Sequence, residues 1–279
     1  MAQSKHQIQA LLAQAAARPR QRLGQNFMID ANLVRLVADA AMIHGGELVI
    51  EVGPGTGTLT EELLARGGEV LAVEIDRNLA ALLHGRFASA GHFRLIEGDA
   101  LAGKHALHPQ LTGAIAAARS RGQSVHLAAN LPYNIASPLL VELLIAGVDL
   151  LAFTVQREVA NRLRAAAGSA DYGALSVMVQ LLSTVQLLRT IPPQAFWPRP
   201  KIESALVRLT GRDRLGRRAA GFDVFIHRIF ASRRKMLRKA LLLAKVDAEK
   251  LLIATEISPE IRPEDVSPDD YLRLFDAAG

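Results

Sequence analysis

Cysteine is absent from the 279-residue chain, which excludes disulfides and thiolate metal sites. The eight histidines nowhere show metal-ligand spacing beside carboxylates, so no metal is expected. No apolar run reaches the length of a membrane-spanning helix, and the polar N-terminus has no secretory apolar region. A cytoplasmic location and no membrane partner are therefore expected. Acidic residues are missing from the first 24 positions, which hold Lys5, Arg18, Arg20 and Arg22. Internal repeats are lacking too. What is present, 50% hydrophobic content over 279 residues, suffices for one large core and a small second domain.

Four apolar runs each end in residues suited to a ligand. Leu48-Val49-Ile50 leads into Glu51-Val52-Gly53-Pro54-Gly55-Thr56-Gly57 and then a helical pattern of Leu59, Leu63 and Leu64. Glycines at a strand-to-helix turn permit positive φ and close approach of a ligand to the backbone. Dinucleotide-binding folds carry a similar loop, but Pro54 departs from their G-x-G-x-x-G pattern, and an acid opening the loop is typical of methyl-donor sites. Val70-Leu71-Ala72-Val73 ends in Glu74, placed to accept from two ribose hydroxyls. Phe93-Arg94-Leu95-Ile96 is followed by Glu97-Gly98-Asp99, where Asp99 can accept from an adenine amine. Taken singly, Glu74 reads equally as a solvated strand end and Asp99 as a turn former.

The fourth run, Val125-His126-Leu127-Ala128-Ala129, delivers Asn130-Leu131-Pro132-Tyr133. An aromatic amine is a poor nucleophile because its lone pair is delocalised into the ring. An Asn side-chain oxygen and a nearby backbone carbonyl can accept both of its N–H bonds and draw the nitrogen toward a tetrahedral geometry. Pro132 fixes the backbone and brings no N–H of its own. Tyr133 offers a face for a base. On its own the motif also fits a strand-to-helix turn with an Asn cap and a core Tyr. The order of the four strand ends gives it weight, because open parallel sheets bind ligands beyond the carboxyl ends of their strands.

With these motifs the chain resembles the S-adenosylmethionine-dependent rRNA adenine N6-dimethyltransferases, nearest to the bacterial small-subunit (16S) branch, the KsgA/RsmA family. The resemblance runs from about Arg22 to the C-terminus. It includes Leu23-Gly24-Gln25-Asn26-Phe27, Val155-Gln156-Arg157-Glu158-Val159-Ala160-Asn161-Arg162, Tyr172-Gly173-Ala174-Leu175-Ser176-Val177 and Phe196-Trp197-Pro198-Arg199-Pro200-Lys201-Ile202-Glu203-Ser204-Ala205. It implies cofactor contacts at Asn26, Met28, Gly53, Glu74, Asp99 and Asn130. It also implies that Asn130 and the Leu131 carbonyl grip the target amine, while Tyr133 and Phe196 stack on a flipped adenine. Met28 stands where the family usually has Leu, a volume-conserving change expected to be harmless. The segment between Asp99 and Asn130 is long, and Lys104–Gln123 includes an Ala/Arg-rich helical piece.

Charge is distributed unevenly. Residues 211–245 hold eleven Lys and Arg against Asp213 and Asp223, whereas the last 34 residues hold three basic groups and nine acids. A basic segment is often a solvated face. Flanking a base-modifying site, however, it favours phosphate contact, and Arg22, Arg233, Arg234, Lys235 and Arg238 are expected to bind RNA, the last four on a basic helix.

The expected fold is α/β, a Rossmann-like class I methyltransferase sheet, mostly parallel with an antiparallel last strand, plus a small all-helical C-terminal domain. The expected domains are a mobile basic arm over 1–25, the methyltransferase domain over 26–210 and the helical domain over 211–279. The resemblance implies N6-dimethylation of two adjacent adenosines near the 3′ end of small-subunit rRNA, with S-adenosylmethionine as donor and no metal. The expected partner is that rRNA within an immature 30S particle, bound by a monomer. Alternatives are a large-subunit rRNA dimethyltransferase of the macrolide-resistance type, which typically reads N-I-P-Y, and a protein acting mainly as a non-catalytic assembly factor. A DNA adenine methyltransferase more often shows D/N-P-P-Y.

Overall fold

Seven strands form the main sheet of the structure, a computed structural model that describes residues 3–103 and 106–279. They are β1 (Leu48–Val52), β2 (Glu69–Glu74), β3 (Phe93–Glu97), β4 (Val125–Asn130), β5 (Leu150–Gln156), β6 (Ser183–Ile191) and β7 (Ser204–Gly211). Their spatial order is 3-2-1-4-5-7-6. The pairs 1-2, 2-3, 1-4 and 4-5 are parallel, and β7 runs antiparallel to β5. Continuous apolar runs such as those of β1 and β5 are what a strand covered on both faces requires, and both are buried along their lengths apart from Gln156. The outer strands differ. β3 and β6 alternate or lie largely exposed, as suits the sheet's edges.

The chain divides into two compact units, one of residues 1–160 and 186–211, the other of 161–185 and 212–279. Helices of the first unit include α1 (Lys5–Gln14), α2 (Ala31–Ala40), α3 (Thr58–Ala65), α4 (Arg77–Arg86), α5 (Pro109–Ser120) and α6 (Ala136–Ile145), and a further helix, Arg157–Arg164, crosses from this unit into the other. Asp30 and Asp76 cap α2 and α4 by accepting from backbone N–H groups of their first turns. The N-terminal segment, expected as a mobile arm, is instead ordered around α1. Ser4 and Gln7 form a reciprocal cap at its start. Ile8 and Leu12, one turn apart, are buried with Phe27, Leu79 and Leu82. That apolar stripe outweighs the pull of the basic residues toward solvent. The Ala/Arg-rich piece is helical, as α5; Lys104 and His105 at the start of that stretch lie outside the described residues.

The second unit contains α7 (Ala174–Leu182), α8 (Ala219–Phe230), α9 (Leu237–Leu243), α10 (Ala248–Thr255) and α11 (Pro268–Ala278). Its core gathers rings: Phe222 and Phe275 meet edge-on at 5.2 Å, and Phe230 lies 5.6 Å from Tyr271. The buried tyrosines are anchored through their hydroxyls, Tyr172 donating to Val266 O at 2.8 Å and Tyr271 to Pro263 O at 2.6 Å. Ser267 caps α11 by accepting from Asp270 N. Segment 161–185, which runs into the start of β6, contributes Tyr172 and α7 to this unit. Arg233, Arg234 and Lys235, expected on a helix, lie on the turn between α8 and α9, and Arg238 follows in the first turn of α9.

Candidate active site

Strand ends and helix starts converge on a cleft in the first unit, lined by Asn26, Met28, Glu51, Gly53, Gly55, Glu74, Asn130 and Pro132 among others. The loop after β1 reaches it because Gly53 and Gly55 adopt φ of +71° and +62°. A side chain at Gly55 would also collide with Phe27, whose Cε1 lies 2.9 Å from where a Cβ would stand. Backbone therefore forms the cleft wall here.

Glu74, at the end of β2, is 3% exposed. Its Oε2 accepts from Gly55 N at 3.2 Å and its Oε1 from Asp76 N at 2.9 Å. Burial pushes this carboxyl up to about 7; the two backbone N–H bonds work against the rise and the neighbouring Asp76 carboxylate adds to it. Glu51 is buried more deeply and is pushed up to about 8 by desolvation, opposed by a 2.6 Å hydrogen bond from Thr60 and reinforced by Glu74. Two like charges in one buried site thus raise each other's cost, and a cation there would relieve both.

Asn130 ends β4 opposite Thr154 of β5. Its amide nitrogen donates to the Asn26 carbonyl at 2.6 Å, and its Oδ1 accepts from the Thr154 hydroxyl at 2.5 Å. Leu131 is buried, and its N–H donates to the Thr154 carbonyl at 3.2 Å. Tyr133 is half-buried with its hydroxyl 2.9 Å from Ser204 Oγ.

Of the residues expected at the site, Asn26, Met28, Gly53, Glu74 and Asn130 line this cleft. Asp99 lines an adjoining recess that shares Leu23, Gly53, Ile75 and Pro132 with it. Asp99 is exposed, and its Oδ1 accepts from Leu101 N at 3.0 Å, so the turn-forming reading holds for that oxygen. Phe196 does not present a face in this structure. It is 2% exposed, within the core that also contains Met28, its partner in a two-stranded antiparallel pairing. Arg22 is exposed, as are Arg233, Arg234, Lys235 and Arg238 in the other unit. Glu51, recognised in the sequence only as the opening of the glycine loop, belongs to the cleft wall. Thr154 gave no signal at all, being one polar residue inside an apolar strand.

Residues 16–278 match the family described as Ribosomal RNA adenine dimethylase. The chain belongs to that family. Among its relatives, the protein named Ribosomal RNA small subunit methyltransferase A of Moorella thermoacetica is 37% identical over 273 residues, covering 95% of this chain and 94% of the relative. The protein of the same name from Bordetella petrii is 40% identical over 266 residues, covering 92% and 94%. Two solved structures share the fold at lower identity. A dimethyladenosine transferase from Plasmodium falciparum aligns with TM-score 0.69 at 23% identity over 89% of this chain and 95% of that one. The 23S rRNA methyltransferase ErmE aligns with TM-score 0.63 at 24% identity over 91% and 99%. The fold is accordingly the expected α/β Rossmann-like class I methyltransferase sheet with a helical C-terminal region. Among the described residues no cluster of potential metal ligands occurs, and no helix is long and apolar enough to cross a membrane.

Proposed function

We propose that the protein transfers methyl groups from S-adenosylmethionine to N6 of two adjacent adenosines near the 3′ end of small-subunit rRNA, acting as a monomer on immature small subunits in the cytoplasm. The observation that carries this reading is the Asn130 amide, tethered at both ends on the rim of the cleft that the glycine loop and Glu74 line. The cleft's own chemistry fits the donor. Glycine backbone permits close approach of the ligand, Glu74 accepts from its ribose hydroxyls, and Asp99 accepts from its adenine amine. The paired burial of Glu51 and Glu74 suits a ligand that carries positive charge. When bound, that ligand would supply a methyl group on a cationic sulfur.

Asn130 Oδ1 and the Leu131 carbonyl accept the two N–H bonds of the target amine and draw its nitrogen toward a tetrahedral form. Placement supplies much of the catalysis, since the leaving centre is already charged. As the new N–C bond forms, the methyl carbon's bond to sulfur would break and leave a neutral thioether, and the nitrogen's proton, made acidic, passes to Asn130, the carbonyl or water, so no carboxylate base is required. The target base has to be unstacked, at a cost of about a few kcal/mol. Stacking on Tyr133 offsets this by roughly 1–3 kcal/mol. The exposed cations at Arg22, Arg233, Arg234, Lys235 and Arg238 neutralise phosphates.

Transfer of labelled methyl from S-adenosylmethionine tests the reading. Uptake is expected on immature small subunits, well above that on large subunits or an isolated RNA hairpin. Equal uptake on the hairpin, or preference for large subunits, would contradict it.

A further inference from the structure

We propose that Thr154 is a positioning residue for methyl transfer, its hydroxyl orienting the Asn130 side chain so that one lone pair of Oδ1 faces the target amine. The proposal rests on the role given to Asn130 above. The orientation of the amide follows from the chemistry of its neighbours. The Asn26 carbonyl only accepts, so the end of the amide 2.6 Å from it has to be the NH2 group. The other end is then Oδ1, which has no proton, so Thr154 Oγ1 at 2.5 Å has to be the donor. An amide oxygen has two lone pairs; Thr154 occupies one and leaves one for an incoming N–H.

Thr154 is well placed to hold this arrangement. It is 0% exposed, so water does not compete for its hydroxyl. Its β-branched side chain is stiff about χ1. The parallel register sets it directly across from Asn130, and its carbonyl accepts from Leu131 N at 3.2 Å. One residue therefore fixes both neighbours that supply acceptors to the target amine, Asn130 through its hydroxyl and Leu131 through its backbone. A side-chain change leaves the second tie in place, which makes the hydroxyl separately testable.

The test compares Thr154→Val, which keeps the shape and removes the hydroxyl, with Thr154→Ser, which keeps it. The readouts are single-turnover methylation on saturating immature small subunits, donor affinity by calorimetry and melting temperature. Thr154→Val is expected to slow transfer about tenfold, the effect of losing one hydrogen bond to a buried group, with donor affinity unchanged within about twofold. Thr154→Ser is expected to recover most of the rate. Should Thr154→Val fold poorly, Thr154→Ala against Thr154→Ser makes the same comparison. A wild-type rate without the hydroxyl, or a serine variant as slow as the valine one, would overturn the proposal. Asn130→Ala separates the two layers. If it too transfers at the wild-type rate, the role of Asn130 fails and takes this proposal with it. If it alone loses transfer, only the role of Thr154 fails.

Discussion

The cleft at the strand ends and the turn between α8 and α9 carry their polar groups in opposite ways. At the cleft, Glu51 and Glu74 are buried in its wall and Thr154 is buried behind Asn130, and each is tied by hydrogen bonds to backbone or to a neighbouring side chain. On the turn, Arg233, Arg234 and Lys235 are exposed and, with Arg238, take part in none of the ion pairs formed among the described residues. Other cations of the same helical unit are committed, Arg214 to Asp269 and Arg218 to Asp276. Fixed, buried polar groups suit a reaction at one atom, because they need no rearrangement as charge develops. Uncommitted surface cations suit a polyanion, whose phosphates they meet without breaking internal pairs. The contrast predicts that chemistry and affinity are separable.

The sharpest way to break that separation is at Asn130. Asn130→Asp keeps an acceptor oxygen but sets a carboxylate against the Asn26 carbonyl, and single-turnover transfer is expected to fall about 10²–10³-fold while particle binding persists. On the other side, charge reversal at Arg233, Arg234 and Lys235 should weaken particle binding while a saturated complex still reacts. Filter binding across a salt series should show the slope reduced by roughly 0.7–0.9 for each phosphate that is no longer neutralised. An unchanged slope would mark the turn as a solvated face. Glu74→Ala should weaken S-adenosylmethionine binding by about tenfold or more in calorimetry, through loss of charge-assisted hydrogen bonds.

Smaller effects sharpen the account of the cleft. Glu51, held at about 8, and Glu74, at about 7, both lie above the ordinary carboxylate value of 4.5. Between pH 4.5 and 8 these two carboxyls therefore bind more protons in the ligand-free folded chain than in the unfolded one, and their contribution to stability falls as pH rises through that window. Glu51→Gln should flatten the fall in a series of thermal melts. A cationic donor favours the ionised carboxyls, so its affinity is expected to rise between pH 6 and 8, by at most about tenfold per unit for each proton released. Met28→Leu should change donor affinity least, within about twofold.

The strand ends were legible because β1, β2 and β4 are apolar runs that stop at a polar residue, a pattern set by burial on both faces. The glycine loop was legible because its conformation demands glycine. Other features depend on residues far apart in sequence. Phe196 reads as an aromatic available for stacking until its pairing with Met28 puts it in the core. Ile8 and Leu12 are packed by Phe27, Leu79 and Leu82, residues far along the chain, and the basic residues alone suggested a mobile arm. The turn at Arg233–Lys235 contains neither glycine nor proline, so nothing local announced the end of α8. Segment 161–185 joins the helical unit through packing of Tyr172 and α7, which chain order conceals. Thr154 shows the limit most clearly, since a threonine in a buried strand acquires its partner only when β4 lies alongside β5.

Mass spectrometry of rRNA nucleosides tests the central claim most directly. Immature small subunits incubated with S-adenosylmethionine and the wild-type protein are expected to yield two N6,N6-dimethyladenosines per particle, and those incubated with Asn130→Ala none. Dimethyladenosine formed at the wild-type level by Asn130→Ala, or its absence after incubation with the wild-type protein, would contradict the account.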